Sequence, residues 1–223
     1  MTVTASKARV VVLISGGGSN LQTLIDAAKL PAASYEIVYV ISNRPDAGGL
    51  DRAQLAGIGS AAIDHKAFPD RASFETKLAN CIDVVAPDFV VCAGFMRVLT
   101  EAFVTRYEGR IINIHPSLLP NFHGLHTHAR ALDAGVAFAG CTVHWVSAGV
   151  DEGAIIGQAI VAVLPGDTAE DLAAKVLLQE HRLYPTCLDL VASRRAVLQK
   201  GRTFIDGKAG VLAMLSDGTI ALA

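Results

Sequence analysis

Arg9-Val10-Val11-Val12-Leu13-Ile14-Ser15-Gly16-Gly17-Gly18-Ser19-Asn20-Leu21 is the stretch that decides the fold. The aliphatic run Val10 to Ile14 has the pattern of a strand buried on both faces. It passes through three glycines directly into Ser19 to Lys29, where apolar residues recur every three to four positions as in a helix packed on a sheet. The alternation repeats: Glu36 to Ile41, Asp88 to Ala93 and Arg110 to Ile114 read as strands, and Gly48 to Ala56, Pro69 to Val85 and Thr100 to Tyr107 as helices. The expected class is α/β, with a doubly wound, mainly parallel sheet. Downstream, Leu125 to Ala134 reads as a helix. Cys141 to Val146 and Ile155 to Val163 read as strands joined by Ser147 to Gly153, an antiparallel extension of the sheet.

Thr168 with Asp171 has the form of a capping box, so a long helix should begin there and end or kink at Pro185. The tail, residues 195–223, shows two short apolar runs around Ser216-Asp217-Gly218, a hairpin signature. No repeat or long linker interrupts the chain, which reads as one domain over residues 1–223 with its core at about 9–194.

The 223 residues are 52% hydrophobic and 18% charged, enough apolar material for a sizeable core, which excludes disorder. Nineteen Lys and Arg against 21 Asp and Glu give a net charge of -2, leaving no footprint for a long nucleic acid or an anionic membrane. Small-molecule substrates are expected instead, acted on by a monomer or homodimer. Val10 to Ile14 is far short of the roughly 18 apolar residues of a membrane span, and Met1 to Arg9 lacks a signal-peptide core, so a cytoplasmic location is expected. Cys81, Cys92, Cys141 and Cys187 lack CxxC spacing and read as free buried thiols.

The glycine loop puts free backbone N–H groups and a positive helix end where an anion can dock. The plainer alternative is a tight turn with Ser19 as N-cap. A dinucleotide fingerprint from Gly16 would need glycine where Leu21 stands, and the second strand runs into Asn43-Arg44 without the acid that holds an NAD ribose. No Lys-Ser or Lys-Thr pair closes the loop as in a triphosphatase. NAD is therefore not expected, and a single phosphomonoester fits best.

In Ile111-Ile112-Asn113-Ile114-His115-Pro116 an amide and an imidazole lie two apart on a strand, so they point to the same side. Pro116 forces His115 into an extended conformation. Ligands of open α/β sheets bind beyond the carboxyl ends of strands, where this pair and the glycine loop should both lie. Asp151, in the Ser147 to Gly153 loop, would complete a set of amide, imidazole and carboxylate able to support acyl chemistry without a metal or a side-chain nucleophile. Each of the three also has a structural reading, as a satisfied loop or turn residue. No GxSxG elbow is present, and Ser117 reads as a loop hydrogen-bonding residue. His123, His126 and His128 raise a metal site, but without an HExxH pattern they read as a ligand rim, and no metal is expected. His144 either faces the pocket or is a satisfied core histidine.

Ser15 to Gln22 (SGGGSNLQ), Ala93 to Arg97 (AGFMR), Asn113 to Pro120 (NIHPSLLP), Gly124 to His128 (GLHTH) and Gln179-Glu180-His181 together closely resemble the phosphoribosylglycinamide formyltransferase family of folate-dependent enzymes, from about Arg9 to Pro185. The resemblance implies Asn113, His115 and Asp151 as the catalytic trio. It implies Gly18, Ser19, Asn20, Pro116 and Glu180 on the phosphoribosylglycinamide substrate. It further implies Arg71, Met96, Arg97, Val98, Leu99, Asn113, Ser147, Ala148, Gly149, Val150 and Asp151 on the donor, 10-formyltetrahydrofolate. Gly17 stands where the family usually has a side chain, and Asn121-Phe122-His123 fills a stretch that often carries Lys or Pro. The expected activity is formyl transfer in purine synthesis. The alternatives are hydrolysis of the formyl-folate, with the same trio and water as acceptor, and non-catalytic binding of a phosphosugar. Formylation of a charged tRNA is disfavoured by the near-neutral charge and by the lack of room for an RNA-binding domain.

Overall fold

A computed structural model describes residues 6–223, so the reading of Met1 to Arg9 rests in part on residues outside it. Strand β1 (Ala8–Ile14) is followed by α1 (Ser19–Ala28), β2 (Tyr35–Ser42), α2 (Gly49–Leu55), the short β3 (Ser60–Ala62), α3 (Arg71–Val84), β4 (Phe89–Cys92), α4 (Glu101–Arg106) and β5 (Ile111–His115). Then come α5 (Thr127–Asp133), β6 (Phe138–Trp145), β7 (Ile155–Ala162), the long α6 (Ala169–Ala192), β8 (Ala196–Gln199), β9 (Arg202–Ile205), β10 (Lys208–Ala209), β11 (Leu212–Met214) and β12 (Ile220–Leu222). The main sheet has the order β12-β11-β7-β6-β5-β4-β1-β2-β3, parallel from β5 to β3, with β6 and β7 joining antiparallel.

Both faces of the parallel part are covered, as its uninterrupted aliphatic strands require. Val10, Val12 and Ile14 pack with Leu21, Leu24 and Ile25 of α1 and Val176, Leu183 and Leu188 of α6. Val11 and Leu13 face Phe74, Leu78 and Ile82 of α3 and Phe103 of α4 on the other side. Strand β2 slips by one residue opposite Val10 and Val11, so that Ile37 and Val40 both reach the α1/α6 face while Ile41 reaches the other.

Two expectations need correction. Pro185 does not end the last long helix, which continues to Ala192. Proline removes an N–H and clashes with the preceding turn, a cost of about 3 kcal/mol. The residues around it, Leu183, Tyr184, Cys187 and Leu188, are fully buried against the sheet, and that burial carries the helix through. The tail is also more than a hairpin. Strands β11 and β12 do form one around Ser216-Asp217-Gly218, and β11 adds it to the main sheet beside β7. Strands β8, β9 and β10, however, make a separate three-stranded sheet whose short, mixed-polarity segments carry no clear period in the sequence.

The carboxyl ends of β1 and β4 are neighbours, and the chain leaves β1 toward β2 but returns to β4 on β1's other side. This is the switch point at which open α/β sheets leave a crevice.

Candidate active site

Strand β1 delivers the glycine loop to that crevice. Gly18, at φ +73°, is the N-cap of α1, and no side chain caps the helix. Ser19 is therefore the first helical residue and not the cap. A Cβ on Gly18 would lie 2.7 Å from Gly49 Cα, so both the left-handed backbone and the close approach of α2 require glycine here. Behind the loop, Asn20 donates from Nδ2 to Glu180 Oε2 at 2.7 Å, and burial raises the Glu180 carboxyl above the ordinary glutamate range.

Across the switch point, the Met96 amide donates to Ser15 Oγ at 2.7 Å, and Ser15 donates to Asn43 Oδ1 at 2.5 Å. The segment after β4 is thereby tied to the start of the glycine loop. Its far end is held by Glu75, whose buried carboxylate accepts from the Thr100 amide at 2.8 Å.

Next to this segment lies a cleft of about 690 Å³, the size of small-molecule sites. It is lined by Met96, Arg97, Val98 and Leu99, by Asn113, His115 and Pro116 of β5 and its exit, and by Ser147, Ala148, Gly149, Val150 and Asp151. Gly124 to His128 and His144 complete the wall. Buried polar atoms without a partner occur on three lining residues: Arg97 Nε, His128 Nε2 and Ser147 Oγ. Native interiors rarely leave such groups unpaired, so they mark places for a polar ligand.

Asn113 and His115 sit on β5, His144 on β6 and Asp151 on the loop that follows β6. Antiparallel pairing sets Asn113 opposite His144 and His115 opposite Thr142. Ile112 and Ile114 pack into the core cluster on the α1/α6 face, while Asn113 and His115 both line the cleft. The loop after β6 turns Asp151 back over them at φ +56°, a left-handed conformation that Asp tolerates better than most residues. Its Oδ2 is 3.2 Å from His115 Nδ1 and accepts from the Gly124 amide at 3.0 Å. His115 Nε2 lies 3.0 Å from the Phe122 carbonyl oxygen. Carboxylate and carbonyl are both acceptors, so both ring nitrogens of His115 face groups to which an N–H can donate.

His144 is 2% exposed. Its Nδ1 lies 2.8 Å from the Trp145 carbonyl oxygen and its Nε2 3.3 Å from Asn113 Nδ2. A neutral ring that donates from Nδ1 and accepts at Nε2 fits both contacts, and burial lowers its pKa below the ordinary histidine value. The amide nitrogen of Asn113 is thus directed at His144, and its second N–H is left for the cleft. His144 is both buried and pocket-facing, which resolves the two readings of its sequence pattern. Only the β5/β6 register reveals its contact with Asn113.

The sequence-selected residues thus fall into two adjoining groups. Asn113, His115, Pro116, Asp151, Met96 to Leu99 and Ser147 to Val150 share the cleft, whereas Gly18, Ser19, Asn20 and Glu180 cluster at the β1/α1 junction beside it. Arg71 is exposed at the start of α3 and lines neither. Cys92, Gly94, Phe95 and Val146 also line the cleft without a chemical signal in the sequence. Among the described residues, no helix is long and apolar enough to cross a membrane.

A family model described as formyl transferase matches residues 8–188. The chain is 46% identical over 199 residues to phosphoribosylglycinamide formyltransferase of Escherichia coli, covering 89% of this chain and 94% of that protein. It is 50% identical over 192 residues to the trifunctional purine biosynthetic protein adenosine-3 of Bos taurus, covering 86% of this chain but only 19% of that much longer protein. Among solved structures, phosphoribosylglycinamide formyltransferase of Coxiella burnetii superposes with a TM-score of 0.88 at 46% identity, covering 96% of this chain and 98% of that one. That of Brucella melitensis gives 0.81 at 53% identity, covering 84% and 97%. With a family match across most of its length and a relative matched nearly end to end, the chain belongs to the formyl transferase family.

Proposed function

We propose that this protein transfers the formyl group of 10-formyltetrahydrofolate to the amine of phosphoribosylglycinamide, giving the formylated ribonucleotide and tetrahydrofolate. The observation that carries the reading is the meeting of Asn113, His115 and Asp151 in one cleft, with His115 bonded on both sides to acceptors. The names of the relatives supply the substrates; the side chains supply the chemistry.

The amine nitrogen attacks the formyl carbon and forms a tetrahedral oxyanion. The free N–H of Asn113 and the His115 imidazolium stabilise the developing charge, Nε2 exchanging its Phe122 carbonyl for the oxyanion. Asp151 holds the imidazolium through Nδ1 and receives the amine proton, directly or through water. Collapse of the intermediate breaks the bond from carbon to N10 of the folate, and that nitrogen takes up the proton. No electrons are gained or lost.

Gly18, Ser19 and Asn20 bind the phosphoribosyl group with their amides and side chains, Glu180 accepts from its hydroxyls and Pro116 bounds the reacting end. The donor lies along Met96 to Leu99 and Ser147 to Asp151, covering the exposed apolar side chains of Met96, Val98 and Val150. Arg71, outside the cleft lining, is assigned to the donor on the family resemblance alone.

The test is tetrahydrofolate release, followed spectrophotometrically with and without phosphoribosylglycinamide. Release that requires the ribonucleotide supports transfer. Equal release without it makes water the acceptor, and no release with either makes the protein a binder.

A further inference from the structure

The proposed phosphate loop, Ser15 to Asn20, contains no charged side chain, yet a phosphate monoester carries between one and two negative charges near neutral pH. A guanidinium lies across the loop from outside it. Arg52 of α2 donates from Nε to the Gly17 carbonyl oxygen at 2.7 Å and from Nη1 to Gln22 Oε1 at 3.3 Å. Its Cδ would be 3.4 Å from a Cβ on Gly18. Arg9, Arg44, Arg106 and Arg195 each pair with an acid, whereas Arg52 makes no ion pair among the described residues. Both its anchors are neutral acceptors, so they hold the group in place without cancelling its charge, and its other N–H groups remain free.

A further observation places an anion beside it. Among the described residues, the backbone N–H groups of Gly16, Gly17 and Gly18 donate to no other part of the chain. The buried Asn20 Oδ1, which has no partner, is an acceptor and so is left for a hydroxyl donor of the same ligand and not for the anion. A neutral cradle of amides with one seated, unpaired guanidinium is the donor set of a phosphate monoester site.

We propose that Arg52 reads the substrate's phosphate, supplying the positive charge that the glycine loop lacks. This rests on the assignment of that loop to the ribonucleotide. The expected signature is a binding effect that depends on the phosphate. In full-length protein, R52Q should raise KM for phosphoribosylglycinamide by about 10- to 100-fold, the range for a hydrogen bond to a charged group, with kcat little changed. R52K should recover part of the loss. With the phosphate-free riboside as acceptor, wild type and R52Q should have the same KM. An unchanged KM for the ribonucleotide in R52Q, or an equal penalty on the riboside, would overturn the proposal, the latter showing that Arg52 only props the loop. Thermal shift with ribose 5-phosphate gives a readout independent of turnover. A rise in Tm for wild type that is lost in R52Q supports the proposal, and an equal rise in both, or none in wild type, overturns it. Absence of ribonucleotide-dependent turnover in wild type alongside a phosphate-dependent Tm difference would instead sink the transferase reading while leaving Arg52 in place.

Discussion

His115 and His144 lie on neighbouring strands of one cleft, and different groups face their ring nitrogens. Two acceptors face His115, whereas His144 meets the Trp145 carbonyl at Nδ1 and the Asn113 amide at Nε2, with Asp151 Oδ1 3.7 Å from Nε2, and its burial lowers its pKa. In the proposed transfer a protonated His115 would serve the oxyanion, and His144 would aim the amide of Asn113. If His115 acts only as charge develops, H115A should lower kcat by about 10²- to 10³-fold, the usual loss of one oxyanion donor, while KM for both substrates changes little. Steady-state kinetics on both substrates check this. A rise in KM matching the fall in activity would mean that His115 binds the ground state and not the oxyanion. The pair Asn113 and His115 is legible in sequence because strand period puts residues two apart on one side. Their link to Asp151 is not, since it depends on a left-handed residue in a loop after another strand.

At the level of elements, legibility follows locality. The strand-to-helix turn at the glycines, with Gly18 and not Ser19 as N-cap, and the capping box of α6 are local: Thr168 Oγ1 accepts from the Asp171 amide at 3.1 Å, and Asp171 Oδ2 accepts from the Thr168 amide at 2.9 Å. Pro185 does not end α6 for the complementary reason, because its local cost is outweighed by the buried stripe of the helix, visible only when the sheet is present. The separate β8–β10 sheet escapes notice because two- to four-residue strands carry no period. Since Thr168 is exposed and caps a helix packed on β6 and β7, T168A should cost about 1 kcal/mol, a fall in Tm of roughly 2–4 °C for a domain of this size. Thermal melting of the purified variant checks it, and an unchanged Tm would show that packing alone fixes the first turn.

For the molecule as a whole, burial of ionisable side chains at the site makes stability depend on pH. Burial lowers the pKa of His144, His128 and His181, with the nearby His115 adding to the effect at His128. The unfolded chain holds these protons near the ordinary histidine value of about 6.5, and the folded chain holds them less readily. Their contribution is therefore intact above about pH 6.5 and is lost as pH falls through the lower folded values. Glu180 has the opposite sign: its raised pKa favours the folded state at low pH, and that contribution is lost as pH rises through the folded value. Three depressed histidines against one raised carboxyl should make Tm fall between pH 7 and pH 5.5. E180Q, which keeps an oxygen for Asn20 but removes the titrating group, should fall more steeply over the same range. Melting curves of both proteins across that range decide the matter. A flat wild-type profile would remove the histidines as the source, and parallel slopes would show that the Glu180 carboxyl stays ionised throughout the range.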